Sequence, residues 1–261
     1  MSEESASSRR PVRTLGIEAA RRVRRALGYE HPAEVDIEVL AFMRGAVVRK
    51  SAVKGARANL VRFEERGIIG VADGLSPEER RWAVAHELGH FEAHSGVSFL
   101  GLCSTDDMLP SYRASGLEPE ANAFAAELLM PEDLFAPGCD VAKVSWDAIR
   151  ALAKAFCVSE TAAALRFVSF SPERVALVSM KDRVVQWSSA SKDFGKRPRK
   201  GARVKEWTEA RAWFDGKPVG TAPETVSASA WIDDAEDDEE LVEHLLPLPK
   251  HEVALSLLWW K

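Results

Sequence analysis

The chain has 261 residues, 46% of them hydrophobic, which is enough for one large domain or two small ones. Its formal net charge of -5 gives no reason to expect a nucleic acid or a membrane surface as main partner, and three cysteines without CxxC spacing argue against a disulfide framework. No apolar run approaches the roughly 18 residues of a membrane span, and no signal peptide is visible, so we expect a soluble cytoplasmic protein.

The N-terminal third predicts two helices followed by a small sheet. Residues 1–8 are small and polar and are expected to be a disordered tail. An arginine-rich amphipathic helix is predicted over 15–27, where apolar residues recur every four positions, and a second helix over 36–44. Three strands are then predicted, and their short turns favour a mostly antiparallel sheet; they are Val47–Arg49, Ala58–Phe63 and Gly67–Val71.

The motif that carries chemistry is His86-Glu87-Leu88-Gly89-His90. It lies on a predicted helix that begins with a capping box at Ser76 and Glu79. On a helix, His86 and His90 lie about 40° apart, so both imidazoles can reach one metal ion. Glu87 is turned about 100° from His86, which places it beside the attacking water rather than the metal. The motif therefore predicts a hydrolytic metal site, with zinc as the first choice and manganese as an alternative.

The third metal ligand decides the class of site, because catalytic zinc has three protein ligands and an open fourth position. The metzincin pattern is excluded, since Gly96 stands where it requires a third histidine. Glu120, on a second, alanine-rich helix that could pack closely against the first, is the preferred ligand. Glu118 precedes a proline and is expected outside that helix, and Glu127 lies two turns further on. His94, four residues after His90, is a less favoured candidate ligand, and packing or support of the ligands is preferred for it.

Catalysis by this site needs a base and a donor to the developing oxyanion. Glu87 is the predicted base, taking a proton from the attacking water and passing it to the leaving amine. Tyr112 or Arg113 in the irregular segment 96–116, or His94, are the candidates for the donor.

The second half of the chain predicts a helical pair and then a β-rich region. Helices over 146–156 and after Ser159 are arranged like a helix-turn-helix but offer few polar side chains, which favours packing or repressor docking over DNA reading. Alternation from Ser171 predicts a hairpin turning at Lys181-Asp182 and a later strand over 253–260. The basic loop 192–205 could contact single-stranded nucleic acid as an activator, and the acidic run 233–240 could shield it.

Three blocks of sequence together resemble the ImmA/IrrE family of bacterial metallopeptidases. They are HELGH, then EANAFAAELLMP from Glu120 to Pro131, and SETAAALRFV from Ser159 to Val168. The resemblance covers about Asp36 to Val168. It implies a thermolysin-like zinc peptidase fold with His86, His90 and Glu120 as ligands and Glu87 as base. It also implies that the substrate is a helix-turn-helix repressor whose cleavage releases genes of stress, DNA damage, prophage or defence, and that the C-terminal region is a GAF-type sensor.

The sequence thus predicts an α+β protein in four segments. These are a basic N-terminal tail and helix (1–30), a zincin-like peptidase domain (31–135), a helix-turn-helix-like segment (136–170) and a β-rich sensor-like domain (171–261). Two other functions stay open: a regulatory binding protein with a structural zinc site, and a toxin-antitoxin component that acts on another protein.

Overall fold

The computed structural model describes residues 14–51, 57–94, 100–103, 117–236 and 238–261. The expectations for the tail 1–8, for Gly96, and for Tyr112 and Arg113 fall outside these residues. The chain groups into two compact units, one of Met1–Glu132 with Phe156–Val158 and one of Asp133–Ala155 with Ser159–Lys261. The predicted division into four segments stays a prediction.

The first unit combines four helices with a four-stranded sheet. Its elements are α1 (Thr14–Leu27), α2 (Ile37–Met43), β1 (Ala46–Lys50), β2 (Ala58–Phe63), β3 (Arg66–Val71), α3 (Pro77–Ala93), β4 (Leu100–Cys103) and α4 (Glu118–Leu129). The strand order is β1-β3-β2-β4, with β1 and β3 parallel and the other pairs antiparallel. The predicted helices and the mostly antiparallel sheet are confirmed.

Helix α1 packs very closely against α4, and the contact is made at Gly16. A methyl group at Gly16 would overlap the carbonyl oxygen of Glu120 and lie 3.0 Å from the backbone nitrogen of Phe124. At the other end of the same contact, Arg21 donates to the buried carboxylate of Glu127 at 2.7 Å. The basic helix predicted from the sequence therefore packs against the start of α4 and uses one arginine to pair a buried acid.

The second unit is built on a five-stranded antiparallel sheet. The chain enters it through α5 (Glu132–Phe135), and the later elements are α6 (Trp146–Phe156), α7 (Glu160–Phe170), β5 (Val175–Lys181), β6 (Val184–Ala190), α8 (Glu209–Phe214), β7 (Glu224–Ser227), β8 (Glu240–Leu248) and β9 (Val253–Trp260). The strand order is β6-β5-β9-β8-β7. The β-rich C-terminal region and the helix pair before it are confirmed. The hairpin turns at Asp182-Arg183, one residue later than predicted, where both residues have positive φ as a tight two-residue turn requires.

Buried polar groups of the second unit hold its helices on the sheet. The indole of Trp146 donates to the backbone oxygen of His244 at 2.7 Å, which ties α6 to β8. Glu243, fully buried on β8, accepts hydrogen bonds from the first two backbone amides of α8 and from Ser256. These contacts make the second unit a packed domain with its own core.

The α+β fold class predicted from the sequence is confirmed by the two mixed units. Within the described residues, no helix has the length and apolar character that crossing a bilayer would require.

The close approach at Gly16 can be tested by Gly16→Ala. Alanine is intrinsically better than glycine in a helix by about 1 kcal/mol, but here the added methyl group must push α1 away from α4. We expect a net loss of roughly 1–3 kcal/mol in the free energy of unfolding, measured by urea denaturation.

The matched control is Gly220→Ala, since the nearest atom to its added carbon is 3.8 Å away. The control should stay within about 0.5 kcal/mol of the wild type. A Gly16→Ala protein as stable as the wild type would contradict the described contact.

Candidate metal centre

Helix α3 carries the HExxH motif through the interior of the first unit. It begins with the predicted capping box, in which Ser76 and Glu79 each bond the backbone of the other. Every residue from Ala83 to Phe91 is buried, because the helix contacts β1, β2 and β3 as well as the other helices of the unit. His86, Glu87 and His90 are therefore polar groups inside a core, where they need compensating partners.

The glycine inside the motif permits the closest contact between α3 and α4. An added carbon at Gly89 would lie 2.9 Å from the Cα of Ala121 and 3.0 Å from the Cβ of Phe124. Such distances are shorter than real Cβ contacts, so only glycine fits here without moving α4. The small residues of both helices thus bring the first turn of α4 to the two histidines.

Three side chains converge at this contact: His86, His90 and Glu118. The Nε2 atoms of the two histidines are 3.2 Å apart. Glu118 places one carboxylate oxygen 3.0 Å from Nε2 of His86 and the other 3.3 Å from Nε2 of His90. The structure thus brings Glu118, and not the preferred Glu120, to the histidine pair.

Glu118 reaches the pair because α4 starts one residue earlier than the sequence suggested. The helix begins at Glu118 with Pro119 in its first turn. Proline is tolerated there, since the first amides of a helix have no intrahelical partner and its φ already suits the helix. From the sequence, the residue before a proline is expected to lie outside a helix. At the start of α4 this expectation is wrong, because Glu118 is the first residue of the helix.

The three groups fit a zinc ion. Zinc bonds of about 2.0–2.2 Å in a tetrahedron place neighbouring ligand atoms roughly 3.3–3.6 Å apart. The two histidine Nε2 atoms are 3.2 Å apart, and the two carboxylate oxygens of Glu118 lie 3.0 Å from Nε2 of His86 and 3.3 Å from Nε2 of His90. Asn122 Oδ1 lies 3.0 Å from Nδ1 of His86 and can accept a proton from it, which leaves Nε2, the nitrogen that faces Glu118, to bind a metal ion once its own proton is displaced. Lone pairs and a carboxylate that face one another in a core form a site for a cation.

The charge state of Glu118 agrees with this arrangement. Burial acts to raise the pKa of Glu118, but hydrogen bonds with His86 and His90 outweigh it and hold that pKa at about 2. The carboxylate is therefore ionised at neutral pH and available as a ligand. A proton on either ring nitrogen would occupy the place of a metal, so protons and metal ions compete for this site.

Glu87, the predicted base, is fully buried beside the first histidine. Its position one residue after His86 turns it about 100° around the helix, so it is next to the metal group without belonging to it. Among the described residues, the group that could hold an ion contains Glu118 as its single carboxylate. The role of Glu87 as base stays a prediction.

His94 and Glu120 lie together behind the second histidine. Nδ1 of His94 is 3.3 Å from Nδ1 of His90, and Nε2 of His94 is 3.5 Å from a carboxylate oxygen of Glu120. Burial lowers the pKa of His94 to about 4, with His90 acting in the same direction, and burial raises the pKa of Glu120. Both nitrogens of the His94 ring face other side chains, which argues against its predicted role as oxyanion donor.

The basic loop 192–205 is partly neutralised by the acidic run in the second unit. Lys196 pairs with Asp234 at 2.9 Å, and Arg199 pairs with Asp233 at 2.5 Å. Lys205 lies 3.8 Å from the same Asp233. These contacts are the shielding that the charge pattern suggested, and they reduce the positive charge that the loop presents to an anion.

Comparison with known proteins places these observations in a family context. Residues 43–168 match the family model described as Peptidase_M78, IrrE N-terminal-like domain. A solved structure, a Mycobacterium tuberculosis transcriptional regulator, is similar with a TM-score of 0.56 and 15% sequence identity, over 94% of this chain and 76% of that one. At that identity the likeness concerns the fold alone. None of the curated proteins matches the chain significantly.

The geometry separates the two glutamates that the sequence offered as third ligand. We expect Glu118→Ala to weaken Zn²⁺ binding by more than about 100-fold, because it removes an atom from the ligand group, whereas a supporting residue costs about 10- to 100-fold. Glu120→Ala should fall at the lower end of that range. Competition with a chromophoric chelator measures both. A larger loss in Glu120→Ala than in Glu118→Ala would return the ligand role to Glu120.

Proposed function

Because residues 43–168 match the Peptidase_M78 family model, we propose that this protein is a zinc-dependent endopeptidase that cleaves a helix-turn-helix transcriptional repressor. The observation that carries the proposal is the convergence of His86, His90 and Glu118, together with the burial of Glu87, the residue that follows His86 on α3. The proposed ligands are those three residues, with manganese as a second metal that the same donors can accept.

The chain's own residues have distinct tasks in peptide hydrolysis. A zinc ion at this site would polarise the scissile carbonyl and acidify the attacking water. Glu87 takes the proton of that water and gives it to the amine of the leaving peptide. Its burial keeps bulk water away from that carboxylate.

Two features of the site favour catalysis over a purely structural metal. A structural zinc is normally closed by four protein ligands, whereas the described residues bring three to this site. A structural ion also has no use for a carboxylate at the position of Glu87. The alternatives of a structural zinc protein or a toxin-antitoxin component have no comparable observation in their favour.

The proposed substrate follows from the family resemblance. Cleavage of a repressor would release genes of stress, DNA damage, prophage or defence, and the location we propose for this activity is the cytoplasm. Single-stranded nucleic acid is the proposed activator, acting on the basic loop 192–205. Because Asp233 and Asp234 already pair with that loop, an activator would have to compete with them.

The substrate is tested by incubating the purified protein with the repressor encoded beside its gene. Zinc or manganese is added, with and without single-stranded DNA, and fragments are analysed by mass spectrometry. A single new cut in the repressor supports the proposal. Metal-loaded protein that leaves the repressor intact under every condition would contradict it.

The catalytic role of Glu87 is tested by Glu87→Gln, which keeps the shape of the side chain but removes the base. We expect zinc binding to persist and the rate of repressor cleavage to fall by about 100-fold or more. Glu78→Gln is the matched control, since Glu78 lies in the first turn of the same helix, more than two turns before His86. Equal cleavage rates for Glu87→Gln and the control would rule out Glu87 as the base.

A further inference from the structure

The proposed metal site needs each histidine to present the lone pair of one particular ring nitrogen. A neutral imidazole has one N–H and one lone pair, so the partner of the second nitrogen decides which atom can bind a metal. For His86 that partner is the amide oxygen of Asn122, which accepts from Nδ1 at 3.0 Å and leaves Nε2 free to bind. The second histidine requires an equivalent acceptor.

His90 meets another imidazole where His86 meets an amide. Its Nδ1 lies 3.3 Å from Nδ1 of His94, one helical turn further along α3. A hydrogen bond between two ring nitrogens needs one donor and one acceptor. Since Nε2 of His90 must keep its lone pair for the metal, Nδ1 of His90 donates and Nδ1 of His94 accepts.

This assignment fixes the proton of His94 on its other nitrogen. Nε2 of His94 then carries hydrogen, and it points to the carboxylate of Glu120 at 3.5 Å, an ion-pair separation slightly longer than a hydrogen bond. Both atoms are buried, and within the described residues neither has any hydrogen-bond partner. Burying a polar group without a partner costs free energy, so the N–H of His94 and the carboxylate of Glu120 are best paired with each other.

We infer that Glu120 and His94 form a positioning relay, in which the Glu120 carboxylate sets the tautomer of His94 and His94 in turn directs Nε2 of His90 to the metal. The inference rests on the proposed function and extends it to two residues that do not touch the ion. Glu118 is then a metal ligand, and Glu120, two residues later at the start of α4, orients the ligand His90 through His94.

The backbone keeps the relay in place. His94 is the C-cap residue directly after α3, and its amide donates to the carbonyl of His90, which fixes the two residues one turn apart. Glu120 is held by the α1–α4 contact, since its carbonyl oxygen lies against Gly16. These backbone contacts fix the positions from which the two side chains of the relay extend.

The test uses substitutions that remove or restore the acceptor for His90. His94→Leu has no acceptor, while His94→Asn supplies an amide oxygen like the one Asn122 gives to His86. In the full-length protein we expect His94→Leu to weaken Zn²⁺ binding by about 10- to 100-fold. His94→Asn should recover most of that loss, and Glu120→Gln, which retains an acceptor for His94, should bind better than Glu120→Ala.

A spectroscopic measurement separates orientation from general destabilisation. With Co²⁺ at saturation, the visible absorption bands should change shape in His94→Leu and return towards the wild type in His94→Asn, because they report ligand geometry. Zn²⁺ affinity in His94→Leu equal to that of the wild type, or equal losses in His94→Leu and His94→Asn, would overturn the relay. A wild-type protein that binds no Zn²⁺ would instead overturn the proposed function.

Discussion

The close contact between α3 and α4 is the constraint on which the rest of the candidate site depends. Gly89 leaves no side chain between the helices, so the backbone of α4 comes within about van der Waals distance of α3 at Ala121. This contact brings carboxylates of α4 into the same buried space as the histidines of α3. A larger residue at position 89 would keep the HExxH motif but would move α4, and with it Glu118, away from the two histidines.

Much of this arrangement could be predicted from sequence because it depends on local chemistry. The capping box at Ser76 and the spacing of His86 and His90 are properties of a single helix, and the structure has both. The alternating residues of β2 and β3 and their short turn likewise predict a hairpin that the structure contains.

The rest could not be predicted, since it depends on where separate elements meet. Whether Glu118 or Glu120 faces the histidines depends on the start of α4 and on its rotation against α3, and a proline in the first turn is compatible with either. The role of His94 follows from its contact with Glu120, which lies on another helix. A pattern within one element carries no information about such contacts.

The proposed function depends on one metal ion held by His86, His90 and Glu118. Crystals of the zinc-loaded protein, measured on both sides of the zinc absorption edge, locate that ion in the anomalous difference map. We expect one strong peak about 2.0–2.2 Å from Nε2 of both histidines and from a carboxylate oxygen of Glu118. A peak coordinated by Glu120 instead of Glu118, or no peak at the histidines, would contradict it.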